Sequence, residues 1–324
     1  MEKKDLKIVF LGTPDFAVPS LDRIVSSGYN VVGVVTMPDK PAGRGHRMYM
    51  SPVKEYALAH GLHLMQPEKL RDPAFVNELQ SLNADLFVVI AFRMLPQVVW
   101  QMPRLGTFNL HASLLPDYRG AAPINWAVIN GDKRTGVTTF FLKHEIDTGD
   151  VIDQCAIEIA DEDNVGSVHD RLMALGADLV ERTLAHIVAG DLKTTPQSAM
   201  TSEQCRPAPK IFRETCHIDW TRPAVEVHNL VRGLSPYPGA WTTLCADNLT
   251  PTDFKIFDSR VDDAVVNAVP GTMIAEADKL GVVCGDRRIL HILSLQATGK
   301  RRMDTDAYLR GARLANPRIV DTAR

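Results

Sequence analysis

Cysteine is scarce in this chain. Its 324 residues hold five, at Cys155, Cys205, Cys216, Cys245 and Cys284, and no two form a C-x-x-C pair. That argues against a disulfide framework and leads us to expect a reduced, cytoplasmic protein with incidental thiols. Long apolar runs are missing as well. The longest, Leu86 to Phe92, is far shorter than the roughly 20 residues of a bilayer-spanning helix, so no membrane partner is expected. Met1-Glu2-Lys3-Lys4 leads only into a strand-length apolar run, which does not read as a signal peptide. Neither sign of charge dominates. With a formal net charge of −3 and a pI near 6.4, the global field does not attract a polyanion, and any nucleic-acid contact must come from local basic patches. The first strand-to-helix turn, Gly12-Thr13-Pro14-Asp15, has one glycine and a proline. It lacks the G-x-G-x-x-G amide cradle for a pyrophosphate, which argues against a dinucleotide-dependent dehydrogenase. No His/Cys/Asp cluster has metal-ligand spacing, so no metal is expected.

What is present is length enough for two domains and a regular alternation of elements. Residues 6–12 read as a buried strand, 16–27 as a helix with Leu21, Ile24 and Val25 inward, and 30–36 as a second strand. A helix over 51–60 and a strand over 84–91 continue the pattern. Near-continuous apolar strands alternating with helices predict an α/β fold: a Rossmann-like parallel sheet covered on both faces. Ligands bind such sheets at the carboxyl ends of the strands. Those ends are Gly12-Thr13-Pro14, Phe92 to Pro96, and Asn109 to Pro116.

The third of these ends is the most informative. In Thr107-Phe108-Asn109-Leu110-His111 polar residues recur at every second position, so Asn109 and His111 project from one face while Phe108 and Leu110 pack behind. An amide beside an imidazole can stabilise a carbonyl oxygen as it becomes an oxyanion, and the imidazole can also move a proton. A polar pair on a short strand also serves purely structural roles, so its surroundings must decide.

Those surroundings carry a resemblance. Asn109-Leu-His111-Ala-Ser113-Leu114-Leu115-Pro116, followed by Arg119-Gly-Ala-Ala-Pro123-Ile124, resembles the folate-dependent formyltransferases. The R-G-A-A-P-I extension, together with T-G-V-T at 135–138, is similar to the members that act on initiator methionyl-tRNA. Asp147-Thr148-Gly149-Asp150 resembles the superfamily's catalytic aspartate loop. The likeness implies that Asn109, His111 and Asp147 are catalytic and that 10-formyltetrahydrofolate is the co-substrate. Ser113, Leu114, Leu115 and Pro116 would shape the folate pocket, with Arg93 and Leu95 on the loop forming the pterin wall. Arg93 departs from the family's commoner tyrosine-glycine wording there.

The same resemblance bears on partners. Pro38 to Gly45, PDKPAGRG, is a loop rich in proline and glycine, made basic by Lys40, Arg44, Arg47 and Lys54. It is similar to an insertion that reaches the acceptor end of initiator tRNA, with Arg44 matching the functional arginine. Its planar guanidinium suits phosphate and base contacts. A solvated surface loop is the other reading. Residues 167–190 read as an amphipathic core helix, and the polar stretch 191–209 as a linker.

From residue 210 short β-like runs predict a small barrel, OB-like by resemblance, that would bind tRNA. The basic cluster Lys300-Arg301-Arg302 follows what reads as the last strand, and Lys300 and Arg301 are candidate phosphate contacts. The expected organisation is a catalytic domain over 1–190, a linker, and a barrel over 210–324, acting as a monomer. A sugar-nucleotide N-formyltransferase remains the alternative enzyme. An RNA-binding protein with an inert first domain is the alternative outside enzymology.

Overall fold

The runs IVFL, VVGVV and LFVVI are too apolar for either face of a sheet to meet water, and they become neighbouring strands covered on both sides. The structure, a computed structural model, describes residues 1–42, 47–200, 205–276, 278–312 and 314–320. In chain order the first strands are β1 (Lys7–Gly12), β2 (Asn30–Val35), β3 (Lys40–Ala42), β4 (Arg47–Tyr49), β5 (Leu64–Met65) and β6 (Leu86–Ile90). They are followed by β7 (Thr107–His111), β8 (Arg119–Gly120), β9 (Arg134–Phe141) and β10 (Val151–Glu158). Among these residues no helix is long and apolar enough to cross a membrane.

Seven strands form one sheet in the order β10-β9-β7-β6-β1-β2-β5. β1 pairs in parallel with β2 on one side and β6 on the other, so the direction of winding reverses there. Such a switch point opens a crevice beyond the carboxyl ends of the strands. Parallel pairing extends to β5 and β7, but β9 lies antiparallel to β7. The all-parallel expectation therefore fails at that edge. An antiparallel neighbour needs no crossover helix on the sheet face, and residues 121–134, which lie between β7 and β9, belong to another unit.

Two helices start on expected caps. Pro52–Ala59 and Pro73–Ser81 have proline in the first turn, and the side chains of Ser51 and Asp72 accept from the amides of Lys54 and Ala74. The helix Val165–Ala189 buries Val168, Leu172, Leu179 and Leu184 completely. It lies close behind β7. A Cβ on Gly176 would come 2.6 Å from Leu110 Cδ2, so any larger residue there would push the leucine side chain aside. Thr183 meets Thr139 of β9 by a buried 2.8 Å hydroxyl pair.

Contact density divides the chain into two units that interleave in sequence: 1–120, 135–157 and 169–207 in one, 121–134, 158–168 and 208–324 in the other. The second unit thus recruits two stretches that precede residue 169, which a boundary near residue 210 does not anticipate. Apolar packing is the reason. Ile129, at the end of the helix Pro123–Ile129, packs on a core that includes Trp220, Val231, Phe254 and Leu290. Gly233 lets its helix, Ala224–Gly233, approach so closely that a Cβ would lie 2.5 Å from Ile129. Buried Arg232 fastens the other stretch by donating to the carbonyls of Ala160 and Asp163.

Beyond β11 (Pro207–Ala208), the second unit holds β12 (Ala240–Ala246), β13 (Leu249–Val265), β14 (Met273–Ala275), β15 (Leu280–Val283), β16 (Arg288–Ala297), β17 (Met303–Asp304) and β18 (Arg318–Ile319). The order β14-β15-β16-β13-β12-β18, antiparallel throughout, forms a barrel-like sheet. β13 is far longer than the short β-like runs expected from the sequence, and three register irregularities against β16 let it bend with the sheet. Lys300 and Arg301 sit on an exposed turn, not after the last strand: β17, a helix over Thr305–Ala312 and β18 follow. Arg302 is structural, donating from Nε to Ser294 Oγ at 2.9 Å and lying over the Phe257 ring.

His228 of the Ala224–Gly233 helix pairs with Ser259 of β13 at 3.0 Å, and burial, reinforced by the nearby Arg232 charge, pushes its imidazole below the usual value. The unfolded chain takes up this proton near pH 6.5 while the folded chain resists it, so stability is lost as pH falls below that point. We expect the denaturation midpoint to drop between pH 7 and pH 5, and His228→Gln to flatten part of that drop. Urea titrations of both proteins at the two pH values measure it. Parallel pH profiles would exclude His228 as a contributor.

Candidate active site

At the carboxyl end of β7 the polar alternation becomes a site. Phe108 and Leu110 are buried in the core, while Asn109 is half-buried and His111 is 7% exposed. His111 Nε2 lies 2.8 Å from the Tyr118 carbonyl, which can only accept, so Nε2 carries a proton. Nδ1, the other ring nitrogen, faces Asp147 Oδ2 at 4.0 Å. Asp147 Oδ2 also accepts from the Gly120 amide at 3.0 Å. The structure thus brings together His111 and Asp147, which are far apart in the chain. Asn109 shares the His111 face by strand period, and its buried Oδ1 has no hydrogen-bond partner among the described residues.

Another buried oxygen without a partner among the described residues, Thr13 Oγ1, follows β1 at the same edge of the sheet. Backbone strain gathers around this edge. Ala91 after β6 (φ 47°), Tyr118 (φ 60°) and Asp147 (φ 55°) all adopt the left-handed conformation that non-glycine residues avoid. Such strain persists only where surrounding structure over-determines it, and it concentrates at functional sites. In the aspartate loop Gly149 has no substitute, since a Cβ there would fall 1.6 Å from the Phe141 carbonyl oxygen.

The Ser113–Pro116 run builds a rigid loop more than it lines a surface. Ser113 is fully buried and donates to the Asp117 carbonyl at 2.6 Å, while Leu115 packs with Phe140 and Val151. Pro116 is buried and Leu114 is half-buried. Thr138, from the T-G-V-T run on β9, clamps this loop. Its hydroxyl donates to the Ser113 carbonyl and accepts from the Leu115 amide and from Gln154 Nε2. These roles for Thr138 and Gln154 were not legible in the sequence, because each partner is remote along the chain.

Other sequence candidates fall in different surroundings. Arg93 donates to the backbone carbonyls of Pro67 and Glu68, and burial lowers its guanidinium from the usual value. Both terminal nitrogens are thus engaged by the protein, while the buried Nε has no hydrogen-bond partner among the described residues. Leu95 is 8% exposed within the sheet core. The basic loop is framed by the antiparallel pair β3–β4, with exposed Lys40 opposite Tyr49 and Arg47 opposite Ala42. Arg44 lies outside the described residues. Lys54 is not a free cation: it pairs with Asp39 at 2.6 Å, and this contact, with a Gln66 amide bond, holds the Asp39 carboxyl below its ordinary range.

The largest omission is Gln197. Read as part of a polar linker, it is 5% exposed and bonds to Arg119 and to the aspartate loop. No periodicity or motif marked it.

The chain matches the family described as formyl transferase over residues 6–184 and the formyl transferase C-terminal domain over 210–313. It is 57% identical to the methionyl-tRNA formyltransferase of Bacteroides fragilis over 315 residues, 97% of each chain. The same-named protein of Bacteroides thetaiotaomicron is 56% identical over 317 residues, 98% of each. In fold it resembles an N-formyltransferase from Helicobacter canadensis, solved in complex with folinic acid and dTDP-3-aminofucose. That likeness has a TM-score of 0.66 and 19% identity, and covers 90% of this chain and 99% of the other.

If Asn109 and His111 stabilise charge on a reacting oxygen, Asn109→Ala and His111→Ala should each lower kcat by about a hundredfold or more, as loss of an oxyanion-hole donor does. KM should change far less. Steady-state formyl-transfer kinetics check this, and near-normal turnover in both variants would remove them from the chemistry.

Proposed function

The chain belongs to the methionyl-tRNA formyltransferases, within the formyl transferase family, and we propose that it moves a formyl group from 10-formyltetrahydrofolate to the α-amino group of methionyl-initiator tRNA. The observation that carries this reading is the convergence of His111, Asp147 and an unpartnered Asn109 oxygen at the carboxyl edge of the sheet. The buried oxygens of Asn109 and Thr13, without partners among the described residues, fit a polar co-substrate rather than an apolar one. The folate supplies the formyl carbon.

The protein's part is positioning and charge. Attack by the amine places negative charge on the formyl oxygen, which the Asn109 amide and a protonated His111 stabilise. Because the Tyr118 carbonyl engages Nε2, the Nδ1 side of the ring is the one that serves the reaction. Asp147 faces that side, takes up, through water, the proton the amine loses, and returns it to the folate nitrogen as that nitrogen's bond to the formyl carbon breaks. Burial of both side chains, 8% and 13% exposed, strengthens these interactions relative to bulk water.

For the acceptor, 57% identity across 97% of the chain favours charged tRNA over a sugar nucleotide. The Asn109/His111/Asp147 set argues against an inert first domain. Lys40, Arg44 and Arg47, on and between β3 and β4, are the cations proposed to meet the acceptor end. Lys300 and Arg301, exposed on their turn, are proposed to meet phosphates elsewhere on the tRNA.

Formyl transfer from 10-formyltetrahydrofolate to charged initiator tRNA, with elongator methionyl-tRNA as control, tests the activity. Arg44→Leu should sharply reduce kcat/KM for methionyl-tRNA and leave the folate site intact. Arg44→Lys should restore only part, since a point charge cannot replace the planar fork. Loss of a phosphate contact also makes the salt dependence shallower. The measurement is kcat/KM at two salt concentrations, and equal values for wild type and Arg44→Leu would refute the loop's role.

A further inference from the structure

We propose that Arg119 and Gln197 are positioning residues for Asp147, forming a relay that holds the aspartate loop where its carboxylate faces His111. The proposal rests on the function assigned above, because it concerns the part Asp147 plays in transfer.

Gln197 uses its whole amide. Nε2 donates to the carbonyls of Asp147 and Gly149, each at 2.8 Å. Oε1 accepts from Arg119 Nε at 3.0 Å and from Nη2 at 2.5 Å. Two donors meet two carbonyls, and two lone pairs meet two guanidinium hydrogens. A carboxylate in this position could not donate, and an ammonium could not accept. The guanidinium also fixes which way the amide points. Turned over, Gln197 would aim its oxygen at two carbonyl oxygens and its NH₂ at a cation.

The loop needs such a hold. At φ 55° the Asp147 backbone lies in the left-handed region that L-residues disfavour, and its side-chain contacts do not fix that backbone. The Gly120 amide and His111 engage only the carboxylate. Gln197 instead grips the main chain at Asp147 and again two residues on. Arg119 stands between the two other anchors of the site. Its neighbour Tyr118 supplies the carbonyl that orients His111, and its neighbour Gly120 supplies the amide that holds Asp147. One three-residue segment therefore sets the position of both side chains, directly and through Gln197.

Gln197 is itself seated. Two residues before it, Thr195 and Val151 exchange backbone hydrogen bonds at 2.8 and 2.9 Å, which fixes the incoming chain to β10. The stretch read as a linker thus carries a residue on which the aspartate loop depends.

The test is a double-mutant cycle on the full-length enzyme: Gln197→Met, Asp147→Asn and the double variant, with Gln197→Glu and Arg119→Lys alongside. Gln197→Met should lower kcat by roughly tenfold to a hundredfold, as small misplacements of a reacting group do, with little change in KM for folate or tRNA. Gln197→Glu keeps a partner for Arg119 but not the two donors, so it should not rescue. In the Asp147→Asn background, Gln197→Met should cost almost nothing more, since a residue acting through Asp147 has nothing left to position.

Additive losses, a defect confined to KM, or full activity of Gln197→Met would each overturn the relay, as would an indifferent Asp147→Asn. If Gln197→Met does not fold, the same cycle with Arg119→Lys decides. A wild-type protein unable to formylate methionyl-tRNA would remove the functional reading itself. An active wild type with an indifferent Gln197→Met removes only the relay.

Discussion

Two backbone groups two residues apart, the Tyr118 carbonyl and the Gly120 amide, set the positions of His111 and Asp147. Because the carbonyl can only accept, it fixes the tautomer of His111 as well as its orientation. Because the amide can only donate, it fixes which carboxylate oxygen of Asp147 it holds as an acceptor. Side chains brought from β7 and from the loop before β10 are thereby referenced to one short segment, which limits how far they can drift apart. Rigid reference of this kind is what electrostatic stabilisation requires, since its benefit depends on dipoles that need not reorganise during reaction.

The segment is strained, and so are its neighbours. Ala91, Tyr118 and Asp147 each adopt a positive φ that glycine would tolerate more readily. None of these positions is conformationally cheap, yet the surrounding hydrogen bonds hold the backbone there. Thr138 clamps the loop from Ser113 to Leu115, Ser113 is bonded to Asp117, and Gln197 secures the carbonyls of Asp147 and Gly149. Strain and restraint occur together, as expected where geometry matters more than local stability.

Several features follow from pattern alone. β1, β2 and β6 are continuous apolar runs. Ser51 and the proline after it announce a helix start, and β7 alternates polar and apolar residues cleanly. Such signals are local, because a strand's period and a helix's cap lie within a few residues of each other. Asn109, His111 and Asp147 stood out because their residue types and wording matched a family, not because their chemistry was visible one at a time.

The features that needed the tertiary structure share a physical cause: polar groups whose partners are far away in the chain. β9, with its threonines, does not look like an interior strand. Yet Thr138 and Thr139 are fully buried, their hydroxyls satisfied by Ser113 and Thr183. Gln197 lies in a stretch whose composition signals a linker, and its value comes from carbonyls 50 and 48 residues away. The recruitment of residues 121–134 and 158–168 into the second unit likewise rests on long-range packing around Gly233 and Arg232. The sequence by itself determined where the strands run, what chemistry gathers at their carboxyl ends and which family the chain resembles, since apolar period and motif are written residue by residue. Only the tertiary structure decided which buried polar groups satisfy one another, because a hydrogen bond between remote positions leaves no mark on either neighbourhood.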